Sequence, residues 1–120
     1  MGLTKVTTKL SNPAAPEQSY EALFLVETGA TDCLAPAEEL WKIGVAEIGK
    51  TAYELADGQV KEYGYGLVQI EFMGEITAGR VIFGDPGIEP LLGVTALESV
   101  GIMVDLANKT LKRLPAIPLK

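Results

Sequence analysis

The chain has 120 residues, a length that accommodates one domain with a single hydrophobic core and leaves no room for a second. Its 16 acidic and 10 basic residues give a net charge of -6, which argues against nucleic acid and anionic membranes as partners, because both require a basic face. The absence of histidine excludes Ser-His-Asp and Cys-His catalysis and every zinc site that needs an imidazole.

The first half of the chain predicts short strands joined by turns and interrupted by one helix. In chain order, these elements are a strand at 3–10, a loop at 11–18 that contains Pro13 and Pro16, a buried strand at 21–26 and a helix at 36–43. Pro36 suits the first turn of that helix, and Gly44 can end it. Asp57-Gly58 between apolar runs at 51–55 and 60–65 predicts a β-hairpin.

The second half predicts further strands and a second helix. In chain order, these elements are strands at 67–73 and 76–83, an apolar run at 90–94, a helix at 95–100, and strands at 102–106 and 110–114. Thr95 and Glu98 have the spacing of a capping box at the start of the second helix. The sequence therefore predicts one all-β domain over residues 1–120 with two short helices. An apolar strand, a glycine and a short helix follow one another once in each half.

A single cysteine, Cys33, cannot form an internal disulfide, and we expect it to be a buried apolar side chain. The N-terminal residues alternate between polar and apolar, so no signal peptide is predicted there. Because one cysteine cannot form an internal disulfide, the reducing cytoplasm is the expected compartment. No segment approaches the roughly 18–20 apolar residues of a membrane span. Trp41, on the first helix, is expected to pack in the core or at a dimer edge.

The residues around Glu27 resemble the active-site motif of the retropepsin-like aspartic proteases. That motif consists of two or more hydrophobic residues followed by Asp, Thr or Ser, Gly, and Ala or Ser, and residues 24–31 (FLVETGAT) match it except at one position. The family's second signature, two hydrophobic residues and a glycine before a short helix, is matched by residues 91–93 (LLG). The hairpin around Asp57 occupies the place of the family's flap. The resemblance covers residues 20–114 and is closest to the small bacterial and archaeal members.

The resemblance implies a retropepsin-like acid-protease barrel with one lobe per chain and a shared active site. In the family, two carboxylates lie close together and share one proton, because both cannot ionise cheaply at that distance. Since the chain carries one motif, the dyad requires a homodimer. Glu27 would then be the catalytic residue, supported by Thr28, Gly29 and Ala30. A peptide or protein would be the substrate, and neither a metal nor an organic cofactor is expected.

Glu27 is the departure from the family, which carries aspartate at this position. The additional methylene shifts each carboxylate by about one C–C bond length, whereas catalytic geometry is held to within about 0.5 Å. Three interpretations remain open: a pseudo-protease that binds without cutting, an enzyme that tolerates glutamate, and an engineered variant of an aspartate parent. A fourth interpretation treats Glu27 as an ordinary surface glutamate at the end of a strand.

The resemblance assigns the flap tip to four residues, which would close over a bound peptide: Ala56, Asp57, Gly58 and Gln59. Asp32 is expected to form a turn rather than to take part in catalysis. Two functions of other classes compete with the peptidase: a non-catalytic peptide-binding module that uses the same groove and flap, and a β-rich interaction domain in which the ETG motif is accidental. Cleavage of an unstructured protein separates the peptidase from both.

Overall fold

The computed structural model describes residues 4–119, so the first residue of the predicted strand at 3–10 lies outside the described residues. The strands are β1 (Lys5–Asn12), β2 (Ala15–Glu27), β3 (Cys33–Pro36), β4 (Gly49–Glu54), β5 (Val60–Phe72), β6 (Glu75–Gly84), β7 (Leu91–Gly93), β8 (Ile102–Asp105) and β9 (Thr110–Arg113). The helices are α1 (Ala37–Lys42) and α2 (Val94–Ser99). The predicted class, mainly β with two short helices, is confirmed.

Seven strands form one sheet that curls back on itself. Their order is β1-β2-β7-β3-β6-β5-β4, and β1 also pairs with β5, which closes most of the sheet into a barrel and leaves β4 at an edge. Apolar side chains from alternate positions fill the interior, among them the fully buried Leu10, Phe24, Val68 and Leu92. A separate two-stranded sheet, β8–β9, lies outside this barrel.

Two similar units interlock at the centre of the sheet. The first unit is β2, β3 and α1, and the second unit is β6, β7 and α2. Each unit supplies one strand to a parallel pair with the other: β2 runs alongside β7, and β3 runs alongside β6. A helix follows β3 in the first unit and β7 in the second. The repeat predicted from the sequence is right for the two helices, but its second apolar strand, β7, is the equivalent of β3 and not of β2.

The predicted loop at 11–18 is wrong. β1 continues to Asn12 and β2 begins at Ala15, so only a two-residue turn separates them. The Asn12 side chain accepts a hydrogen bond from the Ala14 N–H at 2.9 Å and donates one to the Ile43 carbonyl at 2.9 Å, which stabilises the tight turn. Pro16 falls where the register of the β1–β2 pair is irregular, and a missing N–H is tolerated there.

The predicted strands at 60–65 and 67–73 are one continuous strand, β5, of 13 residues. Gly66 lies inside it, and a Cβ there would sit 2.6 Å from the Ala46 carbonyl oxygen, so this glycine permits close approach instead of a turn. The predicted capping box does not form, because α2 begins at Val94 and no side chain caps it. Trp41 is 62% exposed and packs against Phe83, so it is not a core residue. No helix within residues 4–119 is long and apolar enough to cross a membrane.

Candidate active site

A cleft of about 750 Å³ opens between the turn that follows β2 and the β4–β5 hairpin. The turn contributes Glu27 and the residues 29–32 to its wall. Apolar side chains of β3, β6 and β7 form its floor: Leu34, Ile82 and Leu91. The hairpin forms the opposite wall with two aromatic side chains and several smaller ones. The cleft can therefore accommodate an extended chain with apolar side chains.

Glu27 is the last residue of β2, where it pairs with Gly93 of β7. Its side chain is half-buried, and its Oε1 accepts a hydrogen bond from the Gly29 N–H at 2.9 Å. A Cβ on Gly29 would lie 3.1 Å from that oxygen, so glycine lets the carboxylate rest against the backbone. The Glu27 carbonyl accepts the Ala30 N–H at 3.1 Å and thereby closes the turn. The motif residues thus hold one carboxylate at the mouth of the cleft.

The second signature, at residues 91–93, supports this turn from behind. The Val94 N–H donates to the Ala30 carbonyl at 2.8 Å, which ties the start of α2 to the Glu27 turn. A Cβ on Gly93 would lie only 2.6 Å from the Asp32 carbonyl carbon and oxygen, so the two backbones touch there. Leu91 lines the cleft, whereas Leu92 points into the core. The two predicted signatures are therefore adjacent in space.

Thr28 lies on the exposed side of the turn and does not line the cleft. Within residues 4–119 its hydroxyl makes no side-chain hydrogen bond in the single chain. Of the residues predicted to support Glu27, Gly29 and Ala30 line the cleft. The motif therefore presents its carboxylate to the cleft and its threonine to solvent.

The predicted flap is a β-hairpin, in which the last residue of β4 pairs with the first of β5. Its tip is closed by the Leu55 N–H bond to the Gln59 carbonyl at 2.7 Å, and Asp57 accepts the Gln59 N–H at 3.0 Å. Gly58 has a φ of 86°, a conformation that glycine adopts without strain. Ala56 lines the cleft, but Asp57, Gly58 and Gln59 do not; they form the turn itself.

The structure places one unexpected pair in the cleft, Asp32 and Tyr53. The Tyr53 hydroxyl donates a hydrogen bond of 2.7 Å to Asp32 Oδ2. The pKa of the Tyr53 phenol is raised, mainly by partial burial and to a lesser degree by this bond and the negative charge of Asp32. Arg80 acts in the opposite direction and lowers it. The expectation that Asp32 only forms a turn is therefore incomplete. No sequence signal identifies the pair, since its members are 21 positions apart and belong to different elements.

Cys33 follows Asp32 in the chain, at the start of β3, and it is buried as expected. Burial raises the pKa of its thiol to about 11, so the thiol remains protonated near neutral pH. Among the described residues, no group of three acidic, cysteine or histidine side chains is arranged to hold a metal ion. The ionisable groups that line the cleft are thus carboxylates and tyrosines.

Comparison with solved structures finds the crystal structure of the retroviral protease-like domain of Ddi1 from Leishmania major. The two chains align with a TM-score of 0.58 and 15% sequence identity, over 97% of this chain and 91% of that one. No protein-family model matches the sequence, and no curated protein matches it either. At such low identity the likeness shows the fold alone. The chain therefore has a retroviral protease-like fold, as the resemblance implies, whereas the closeness to bacterial and archaeal members stays a prediction.

Proposed function

We propose that two copies of the chain form an aspartic-type endopeptidase in which Glu27 of each copy supplies half of a carboxylate dyad. The observation that carries this proposal is the position of Glu27, whose carboxylate lines a cleft beneath a β-hairpin in a retroviral protease-like fold. The substrate would be an extended peptide or an unfolded protein segment. The reaction would need neither a metal nor an organic cofactor.

The chemistry follows from the shared proton of such a pair. One Glu27 carboxylate takes a proton from a water molecule, and that water attacks the peptide carbonyl carbon. The partner's carboxyl group, protonated, donates a hydrogen bond to the carbonyl oxygen as negative charge develops on it. The tetrahedral intermediate then collapses, and a proton passes to the leaving amine. The titration belongs to the pair, so activity should require a pH at which the pair holds one proton.

The homodimer is supported by features near the Glu27 turn. The Thr4 carbonyl oxygen accepts a hydrogen bond of 2.9 Å from the Val26 N–H. The Thr4 hydroxyl donates a hydrogen bond of 3.1 Å to the Lys109 carbonyl. The β8–β9 hairpin therefore lies on the same side of the molecule as the end of β2. Exposed apolar side chains occur on this hairpin and the segments around it, namely Met103, Leu106, Leu114, Ile117 and Leu119. A second copy that covered this apolar surface would approach the first near Glu27.

The peptide-binding part of the proposal is supported by the edge position of β4. Within residues 4–119, β4 pairs with β5 alone, so its other edge has free backbone groups. An extended peptide can hydrogen-bond to such an edge as an added strand and place alternate side chains on the apolar floor. The hairpin would then cover the peptide while the Glu27 pair acts on one of its bonds.

Cleavage of casein, an unstructured protein, between about pH 3 and pH 7 tests this function, since the range brackets the usual dyad values. We expect weak activity from the parent chain and a higher rate from Glu27→Asp, because the shorter side chain restores the separation at which two carboxylates flank one water. The gain should be largest below neutral pH and should fade as both groups ionise. Glu27→Gln should be inactive, since an amide cannot exchange the proton.

Two outcomes would redirect the proposal. If the parent and Glu27→Asp are both inert, the alternative becomes the better account: a non-catalytic module that holds an extended peptide in the same cleft. If Glu27→Gln cleaves as fast as the parent, Glu27 is not catalytic. The cytoplasmic location predicted from the sequence stays a proposal, and it suits a chain whose single cysteine is a buried thiol.

A further inference from the structure

The flap hairpin touches the Glu27 turn through one polar contact. In the part of the chain that the structure describes, the bond from Tyr53 to Asp32 is the hydrogen bond that joins the hairpin to residues 27–32. The other polar contacts of the hairpin are within itself or to β6, where Arg80 donates to Thr51 at 3.0 Å. The bond is short, at 2.7 Å, and its acceptor is a carboxylate, which makes such bonds stronger than neutral ones.

The position of this bond along the hairpin matters. Tyr53 pairs with Lys61, one residue before the end of β4, so the bond lies at the base of the tip formed by residues 55–59. The Tyr53 ring also packs against the Tyr63 ring, with 6.4 Å between the ring centres. In the described part of the chain, β4 pairs with no strand other than β5, because it is the edge of the sheet. Among the described residues, this side-chain bond is therefore the hydrogen bond that opposes separation of the hairpin from the turn.

We propose that the hydrogen bond between Tyr53 and Asp32 anchors the base of the flap hairpin to the Glu27 turn, so that both are positioning residues that set the width of the cleft. Opening is then confined to the tip beyond Tyr53. Asp32 acts on a substrate only through Tyr53 and is not a catalytic residue. That the anchored cleft receives a peptide rests on the proposed function, but the anchoring itself does not.

Hydrogen exchange of the full-length protein, followed by mass spectrometry without any substrate, tests the anchor. Tyr53→Phe keeps the ring and removes the donor, and Asp32→Ala removes the acceptor. In both variants we expect the segments 49–54 and 60–63 to exchange about tenfold faster, because a hydrogen bond to a charged group is lost. Asp32→Asn should have a smaller effect, since its amide oxygen can still accept the bond.

Tyr63→Phe is the matched control. The Tyr63 hydroxyl makes no hydrogen bond within residues 4–119, so its removal should leave exchange at the parent rate. The segment 67–72 of β5, which is largely buried in the core, should exchange equally in all variants. The proposal is overturned if Tyr53→Phe exchanges like Tyr63→Phe, or if the segment 67–72 accelerates as much as the hairpin. Because no cleavage is measured, an inactive Glu27 would not affect the result.

Discussion

The two interlocked units share a backbone plan and differ at the ends of their first strands. β2 of the first unit ends at Glu27, beside Gly93, and β6 of the second unit ends at Gly84, beside Pro36. A Cβ on Gly84 would lie 2.8 Å from side-chain methyl groups of Ile88 and Leu34, so neighbouring side chains already fill that position. At the equivalent position in the first unit, the Glu27 side chain opens into the cleft.

Under the proposed function, one backbone unit serves packing in one copy and chemistry in the other. The β4–β5 hairpin follows the first unit in the chain and lies over its turn, so Glu27 acquires a wall opposite it. The turn of the second unit, residues 85–90, contributes nothing to the cleft, and its Asp85 is exposed. Within residues 4–119, the Asp85 carboxylate therefore has no hairpin over it, whereas the Glu27 carboxylate does.

The largest expected effect is a difference in stability between alanine variants of two strand-end glycines, Gly93 and Gly84. In Gly93→Ala the new methyl group would meet the Asp32 backbone at 2.6 Å, which cannot rotate away. In Gly84→Ala the nearest contacts would be side-chain methyl groups at 2.8 Å, which can shift, and the Ala35 carbonyl oxygen would lie at 3.1 Å. We expect losses of about 3 kcal/mol and about 1 kcal/mol, respectively, in the free energy of unfolding. Urea denaturation at one fixed protein concentration measures both, and equal losses would mean that contact with the Asp32 backbone is no more restrictive than contact with side-chain methyl groups.

A smaller effect concerns Thr28, which follows Glu27 in the first unit and has Asp85 as its positional counterpart in the second. If the Thr28 hydroxyl bonds across a dimer axis, Thr28→Val should weaken dimerisation by about 1–3 kcal/mol, because it leaves a buried partner unsatisfied. Sedimentation equilibrium at several concentrations measures the dissociation constant. Thr31→Val, an exposed threonine of the same turn, is the control and should leave it unchanged. Equal dissociation constants for the two variants would mean that Thr28 makes no contact across a dimer interface.

Many of the elements in this comparison can be predicted from the sequence, because short local segments define them. Residues 24–31 and 91–93 each combine an apolar strand with a glycine, and the Asp57-Gly58 turn identifies the hairpin by its own chemistry. The alternation of apolar residues in β5 is also a local property. These features are sufficient to predict the fold class and the hairpin, whereas the approach of the hairpin to Glu27 is implied by the resemblance to the retropepsin-like proteases.

Other features depend on contacts between distant segments and could not be predicted. Asp32 reads as a turn residue until β4 is placed over it, and only then does Tyr53 reach its carboxylate. Pro13 and Pro16 suggest a loop, but Asn12 binds the Ile43 carbonyl, 31 residues away, and keeps the turn tight. Gly66 reads as a break in a strand until the close approach of the Ala46 carbonyl is known. In each case tertiary contact overrides the local preference.

The central claim is that two Glu27 side chains meet across a twofold axis, and cysteine cross-linking tests it directly. Two cysteines form a disulfide only if their Cα atoms lie within about 4.4–6.8 Å. Asp85→Cys, at the exposed turn of the second unit, is the matched control, and the buried Cys33 is the common background. After mild oxidation, Glu27→Cys should migrate on a non-reducing gel at twice the 12.8 kDa of one chain, and Asp85→Cys should not. A Glu27→Cys chain that stays at the single mass, or an Asp85→Cys chain that cross-links equally well, would contradict the shared active site.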